Sequence, residues 1–244
     1  MAGWEDVGKA DPVIARLQQS YGFLRPILFH SPYEAAAGFI IGQRISMKQR
    51  LVIQAEMSRH HGPSFTTDDG QELHAFPSPG ALLAISAFKG LNDTKLSRLH
   101  GLADVAQAGM LTREHLLGLS IPDALAELRS IPGIGPFYAS GILYRGAGIV
   151  DGVTDDDLTG YAVMKAYDLP DIPSPTGLMA IADAWRPYRM WSEVLLHIWL
   201  RREVGMPKRA GSGNVCPKRP KSSRHGNSDS PDAPDTHRGN RFRS

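Results

Sequence analysis

Between residues 32 and 61 the apolar positions Ala36, Phe39, Ile40 and Ile45, followed by Leu51, Val52, Ala55 and Met57, recur at the three- and four-residue spacing of helices. Two consecutive helices are predicted there. A shorter helix over 13–21 is predicted to start after Asp11-Pro12, a capping residue followed by a proline at the first helical position. The stretch 62–76 is polar and contains Thr66-Thr67-Asp68-Asp69-Gly70, so it reads as a loop. Ser78-Pro79 opens a helix through Ile85, and a polar turn at Gly90-Leu91-Asn92-Asp93 precedes another over 96–108. Cap-then-amphipathic patterns follow at 112–117, 122–129 and 136–144, and a last helix is predicted over 183–203, containing Trp185, Tyr188, Trp191 and Trp199. Alternating runs long enough to indicate strands are absent, so the fold class predicted is all-α.

Beyond residue 205 the large apolar groups nearly vanish and Gly, Pro, Ser, Asp and basic residues take over. The organisation predicted is a helical domain over 1–205 and a disordered tail over 206–244. The net charge of the whole chain is +2, but nine Lys/Arg against three Asp after residue 204 give the tail +6, while 18 basic and 22 acidic residues leave the body at −4. Any affinity of the body for a polyanion must therefore come from local groups, with the tail as an electrostatic supplement. The single cysteine, Cys216, excludes an internal disulfide and lacks metal-ligand spacing. No apolar run approaches a membrane span, and the acidic amino terminus does not read as a signal peptide, so a cytoplasmic protein with no membrane partner is expected.

The densest chemistry lies in Ser130-Ile131-Pro132-Gly133-Ile134-Gly135-Pro136-Phe137-Tyr138, between two helical patterns. It holds too many helix breakers for a helix interior and is too short for a free linker, so it reads as a tight hairpin, with helix-hairpin-helix limits near 122–146. Gly133 and Gly135 permit positive φ and close approach of a ligand, and the amides of Gly133, Ile134 and Gly135 can form an anion site suited to a phosphate backbone. Taken alone, the glycines also fit an ordinary turn between helices. About twenty residues on, Asp155, Asp156 and Asp157 precede the apolar run Tyr161, Ala162, Met164 and Ala166, a pattern that by itself fits a helix N-cap.

Hairpin, spacer and aspartate together resemble the helix-hairpin-helix, Gly/Pro, Asp (HhH-GPD) superfamily of base-excision DNA glycosylases, most of all its DNA-3-methyladenine glycosylase II branch. Three further motifs follow in the same order: Gly42-Gln43-Arg44-Ile45-Ser46, Leu91-Asn92-Asp93-Thr94-Lys95 and Trp185-Arg186-Pro187-Tyr188-Arg189. The resemblance covers roughly residues 11 to 203. It implies a two-lobed helical fold and a monofunctional hydrolase that flips damaged, alkylated bases from double-stranded DNA, acting as a monomer on nucleoid DNA. By that resemblance Asp157 is the catalytic carboxylate, with Asp156 as the fallback if the register slips by one. Phe137, Tyr138, Trp185 and Tyr188 would line the base pocket, and Gln43, Arg44 and Ser46 would join the hairpin in contacting DNA. Arg44 departs from the branch, which places Gln or an apolar wedge there.

Bifunctional relatives that also cut the strand carry a lysine two residues after the second hairpin glycine, where this chain has Phe137. Iron-sulfur relatives need four cysteines, against one here. No cofactor is therefore expected, beyond a monovalent cation that such hairpins can hold. The β-rich domain that precedes the helices in longer members is not expected either. Two alternatives stay open: a noncatalytic helix-hairpin-helix DNA-binding protein, in which the triplet is only a cap, and a glycosylase for another lesion class.

Overall fold

The computed structural model describes residues 3–26 and 28–205; the tail predicted to be disordered, with Cys216, lies outside them. Twelve α-helices are described, and they divide between two hydrophobic cores. The first lobe runs from α3 (Pro32–Gly42) and α4 (Met47–His61) through α5 (Pro79–Leu83), α6 (Asp93–Gln107), α7 (Arg113–Gly118), α8 (Ile121–Ser130) and α9 (Pro136–Gly141). Ile40, Ile41, Leu99, Leu102, Leu116, Leu128 and Ile142 fill its centre. The second lobe joins the two ends of the described chain: α1 (Trp4–Ala10) and α2 (Pro12–Tyr21) pack with α10 (Asp157–Ala166), α11 (Pro175–Ala182) and α12 (Arg189–Trp199) around Ile14, Leu17, Val163, Leu178, Trp185 and Leu196. The start of α12 is the seam, since Met190 belongs to the first core and Trp191 packs against both.

Local chemistry explains most boundaries. Asp11 caps α2, its Oδ1 accepting from the amides of Val13 and Ile14 at 2.9 and 3.1 Å, and Pro12 supplies the fixed φ of the first turn. Ser31, Ser78, Ser120 and Ser174 repeat the serine-cap and early-proline device at α3, α5, α8 and α11. The run Ala35-Ala36-Ala37 is buried where α3 meets the π-helical turn Ile142–Ala147 that extends α9. A Cβ on Gly146 would stand 3.0 Å from the Pro32 Cα, so glycine permits that close approach.

Several elements differ from the sequence expectation. The loop at 62–76 contains an antiparallel ribbon, β1 (Ser64–Thr66) paired with β2 (Glu72–His74), closed by Gly70 at φ +81°. Three-residue strands are too short to show a period of two. Helix α1 and helix α11 were not predicted. The single helix expected over 183–203 is broken: a 3-10 turn Asp183–Trp185 stops at the cis Arg186–Pro187 peptide, and α12 begins at Arg189 before widening into a π-helical turn, Leu200–Val204. Proline has no amide to continue the ladder, and its ring clashes with the preceding turn. On α4, Ile53 and Met57 are buried whereas Leu51 and Val52 are each 54% exposed, so part of the expected apolar face points outward. Among the described residues no helix is long and apolar enough to cross a membrane.

Candidate functional site

The glycine-rich hairpin connects α8 to α9. Gly133 sits at φ +92°, a left-handed conformation that side chains disfavour, and an added Cβ would lie 2.8 Å from the Arg98 Cδ. Gly135 behaves differently from the expectation. Its φ is −89° and its ψ 178°, so it needs no positive φ, and an added Cβ meets nothing within 4 Å. It caps α9 without a side chain, with Pro136 in the first turn. Ile134 turns its side chain into the first core, 4% exposed, and its amide donates to the Ile131 carbonyl at 3.0 Å. The outward face of the hairpin is thus the open backbone at Gly135. Gly133→Ala is expected to cost about 1–2 kcal/mol of stability and Gly135→Ala close to none; chemical denaturation of the two variants side by side checks this.

The turn between α3 and α4 is tied to that hairpin. Gln43 donates from Nε2 to the Gly133 carbonyl at 2.7 Å and accepts at Oε1 from Arg98 Nη1, also at 2.7 Å. Within the hairpin the Gly133 carbonyl is thus engaged by Gln43 and the Ile131 carbonyl by the Ile134 amide. Arg44 follows at φ +59° and is exposed, a backbone state that costs energy in a residue other than glycine. Ser46 serves the fold: its hydroxyl accepts from the Gln49 amide while the Gln49 side chain accepts from the Ser46 amide, a capping box for α4. Lys95 buries its ammonium against the Ile41 carbonyl at 2.7 Å, and burial lowers its pKa. Gln43, Arg44, Asn92, Lys95, Arg98 and Tyr138 line a cleft of about 750 Å3. Arg98 was not among the residues singled out from the sequence, although it follows Lys95 by three on the same helix.

The aspartate triplet resolves into separate roles. Asp156 is the N-cap of α10, its Oδ1 accepting from the Thr159 amide at 2.7 Å. Its carboxyl pKa is raised, chiefly by burial; the hydrogen bonds from Thr159 oppose this and the neighbouring Asp157 adds to it. Asp157 occupies the first turn of α10 and is exposed, as is Asp155. The preceding loop is anchored by Asp151, which accepts from Arg189 Nε at 2.7 Å and Arg186 Nη1 at 2.9 Å, and by the Thr154 amide donating to Glu193 Oε2 at 2.8 Å. Asp157 does not line the 750 Å3 cleft.

The four aromatic residues assigned to a base pocket do not form one group. Phe137 is 54% exposed and meets Tyr138 edge-on at 5.8 Å, while Tyr138 stacks on Phe39 at 4.8 Å and faces the cleft. Trp185 has no exposed surface. Its indole Nε1 donates to Asp11 Oδ2 at 3.0 Å and to the Tyr167 hydroxyl at 2.9 Å, which makes it a core residue of the second lobe and corrects the pocket assignment. Tyr188 is half-buried between Trp4, at 5.7 Å, and Trp191, at 5.1 Å, near the lobe seam.

Comparison with known proteins agrees with this architecture. A DNA-3-methyladenine glycosylase of Bacillus subtilis is 23% identical over 197 residues, which cover 78% of this chain; the chain spans 64% of the length of that relative. No family model matches. Among solved structures, a protein designated MBOgg1, in complex with a low-affinity DNA ligand, superposes with a TM-score of 0.68 at 20% identity over 83% of this chain and 70% of its own. A 3-methyladenine DNA glycosylase from Archaeoglobus fulgidus gives 0.64 at 23% identity, over 80% and 67%. The Schizosaccharomyces pombe 3-methyladenine DNA glycosylase, in complex with abasic DNA, gives 0.60 at 20% identity, over 82% and 100%. The two-lobed helical chain thus shares the fold of these solved DNA glycosylases.

Proposed function

We propose that the protein is a monofunctional DNA glycosylase that extrudes a damaged, alkylated base from double-stranded DNA and hydrolyses its N-glycosidic bond. The observation that carries this reading is the pairing, in one glycosylase fold, of an open glycine hairpin with an exposed carboxylate at the start of α10. A base in a duplex must leave the stack before its glycosidic bond can be reached. Main-chain groups around Gly135 hold the DNA backbone without regard to sequence, and Arg44, at the tip of the turn that Gln43 ties to the hairpin, fills the gap left by the flipped nucleotide. Asp157 stabilises the oxocarbenium-like sugar as the bond breaks and aligns the water that attacks it.

An N-alkylated purine carries positive charge, so it is already a good leaving group and is attracted to aromatic faces. Phe137 and Tyr138 supply those faces beside the hairpin. Phe137 also stands where bifunctional relatives carry their nucleophilic lysine, so no Schiff-base intermediate and no strand cleavage are expected. The relative matched in sequence is named for 3-methyladenine, whereas structures of this fold include an 8-oxoguanine glycosylase/lyase from Clostridium acetobutylicum. Lesion class is decided by excision from duplexes carrying one alkylated, one oxidised or one mismatched base. The proposal expects release of 3-methyladenine or 7-methylguanine and none of 8-oxoguanine; the reverse order would move it to oxidised-base repair. Binding to every duplex with release from none would leave a noncatalytic DNA-binding protein. Deleting residues 207–244, with their excess of basic side chains, is expected to weaken nonspecific binding and flatten its salt dependence while single-turnover excision stays nearly intact.

A further inference from the structure

Helix α12 places Glu193 and His197, one turn apart, beneath the first turn of α10. Glu193 is buried; its Oε2 accepts from the Thr154 amide at 2.8 Å and its Oε1 from the Thr159 hydroxyl at 3.2 Å. One carboxylate therefore grips the chain on both sides of Asp155, Asp156 and Asp157. The same hydroxyl lies 3.2 Å from His197 Nε2, and Thr159 gives its amide to Asp156 Oδ1, leaving Asp156 Oδ2 buried without a partner. Other charged or titratable groups act on the pair: Asp156 from the cap of α10, Tyr144 and Arg145 from the π-helical turn Ile142–Ala147, and Arg201 from the π-helical turn that follows α12, while Arg189, at the start of α12, acts on Tyr144.

A threonine hydroxyl has one hydrogen to give. While Glu193 is ionised that hydrogen points to Oε1, in competition with the neighbouring Asp156 carboxyl, and His197 then presents its Nε2–H to the Thr159 oxygen. Once Glu193 holds a proton it becomes the donor, the Thr159 hydrogen turns to His197 Nε2, and the imidazole carries its own hydrogen on Nδ1. Building on the glycosylase reading above, we propose that Glu193 is a positioning residue for the Asp157 turn, and that Glu193, Thr159 and His197 form one hydrogen-bond chain that reverses when Glu193 gains a proton. Burial pushes the Glu193 carboxyl up to about 7 and the His197 imidazole down to about 4, so the reversal falls near neutral pH with the imidazole uncharged throughout. The ionised form adds a negative charge beneath the turn that must stabilise a cationic sugar. The same charge is costly to the fold: a carboxyl raised in the folded state contributes stability below its unfolded pKa that is lost as pH rises through about 7.

Three measurements on wild type and Glu193→Gln test this. The glutamine keeps the shape and both contacts but fixes the chain in its reversed direction. Wild-type single-turnover excision is expected to rise about fivefold from pH 6 to pH 8, whereas Glu193→Gln stays flat at a rate below that of wild type at pH 6. Nitrogen NMR of His197 is expected to show a change from Nδ1–H to Nε2–H with rising pH in wild type and a fixed Nδ1–H form in the variant. Thermal unfolding of the variant is expected to match wild type at pH 5 and exceed it at pH 8. Equal pH–rate profiles with an unchanging His197 tautomer would overturn the proposal while leaving the glycosylase reading in place. A tautomer change in a protein that releases no base would uphold the chain and remove the glycosylase reading instead.

Discussion

Trp185→Ala is expected to destabilise the protein by about 3–5 kcal/mol, the cost of emptying a large aromatic site in a packed core. That is a large share of the stability of an ordinary domain. The indole is fully buried and ties three elements: Asp11, the cap of α2; Tyr167, just past the end of α10; and the 3-10 turn that carries Trp185 itself. Trp185→Phe retains most of the volume but loses the indole donor to Asp11 and Tyr167, so a smaller loss, about 1–2 kcal/mol, is expected. Denaturant unfolding of both variants measures this. Full stability of Trp185→Ala with weakened binding of a flipped base would return the residue to the pocket that the sequence resemblance assigned it.

Asp157→Asn is expected to lower single-turnover excision by about 10²–10³-fold, the usual penalty for removing a group that stabilises charge in a transition state. Binding to a duplex with an abasic site should change little. Stability should hold as well, because Asp157 is exposed and the cap of α10 is its neighbour. Asp156→Ala provides the opposite pattern: loss of the bond from Oδ1 to the Thr159 amide is expected to cost about 1 kcal/mol of stability, and Asp156→Asn, a competent cap, should recover it. An Asp156→Asn protein that folds normally but releases no base, beside an active Asp157→Asn, would shift the catalytic register by one residue.

These contrasts show why some of the molecule was legible in the sequence and some was not. Capped amphipathic helices such as α2 and α8 announce themselves through Asp11-Pro12 and Ser120 followed by Pro122, because a cap and a proline act locally. The hairpin was legible for the same reason, since Gly133 is fixed by its own backbone angle. What depends on distant partners was hidden. Trp185 reads as a pocket aromatic until Asp11, 174 residues away, is seen to take its indole hydrogen. Gln43 reads as a probe of DNA, yet its side chain is committed to Gly133 and Arg98. Glu193 and His197 belong to no sequence motif, and only the folded chain brings them to Thr159. The ribbon of β1 and β2 was too short to leave a pattern, and Pro187, present in a quoted motif, was read through rather than as a break.

The most direct test of the account is single-turnover incubation of the full-length protein with methylated duplex DNA, with free base measured by chromatography and strand breaks scored before and after alkali. The account predicts release of 3-methyladenine or 7-methylguanine with breaks appearing only after alkali, as expected for a hydrolase with Phe137 where a lyase carries lysine. Breaks without alkali would contradict the monofunctional reading, and intact bases after prolonged incubation at protein excess would contradict the assignment as an alkylbase glycosylase.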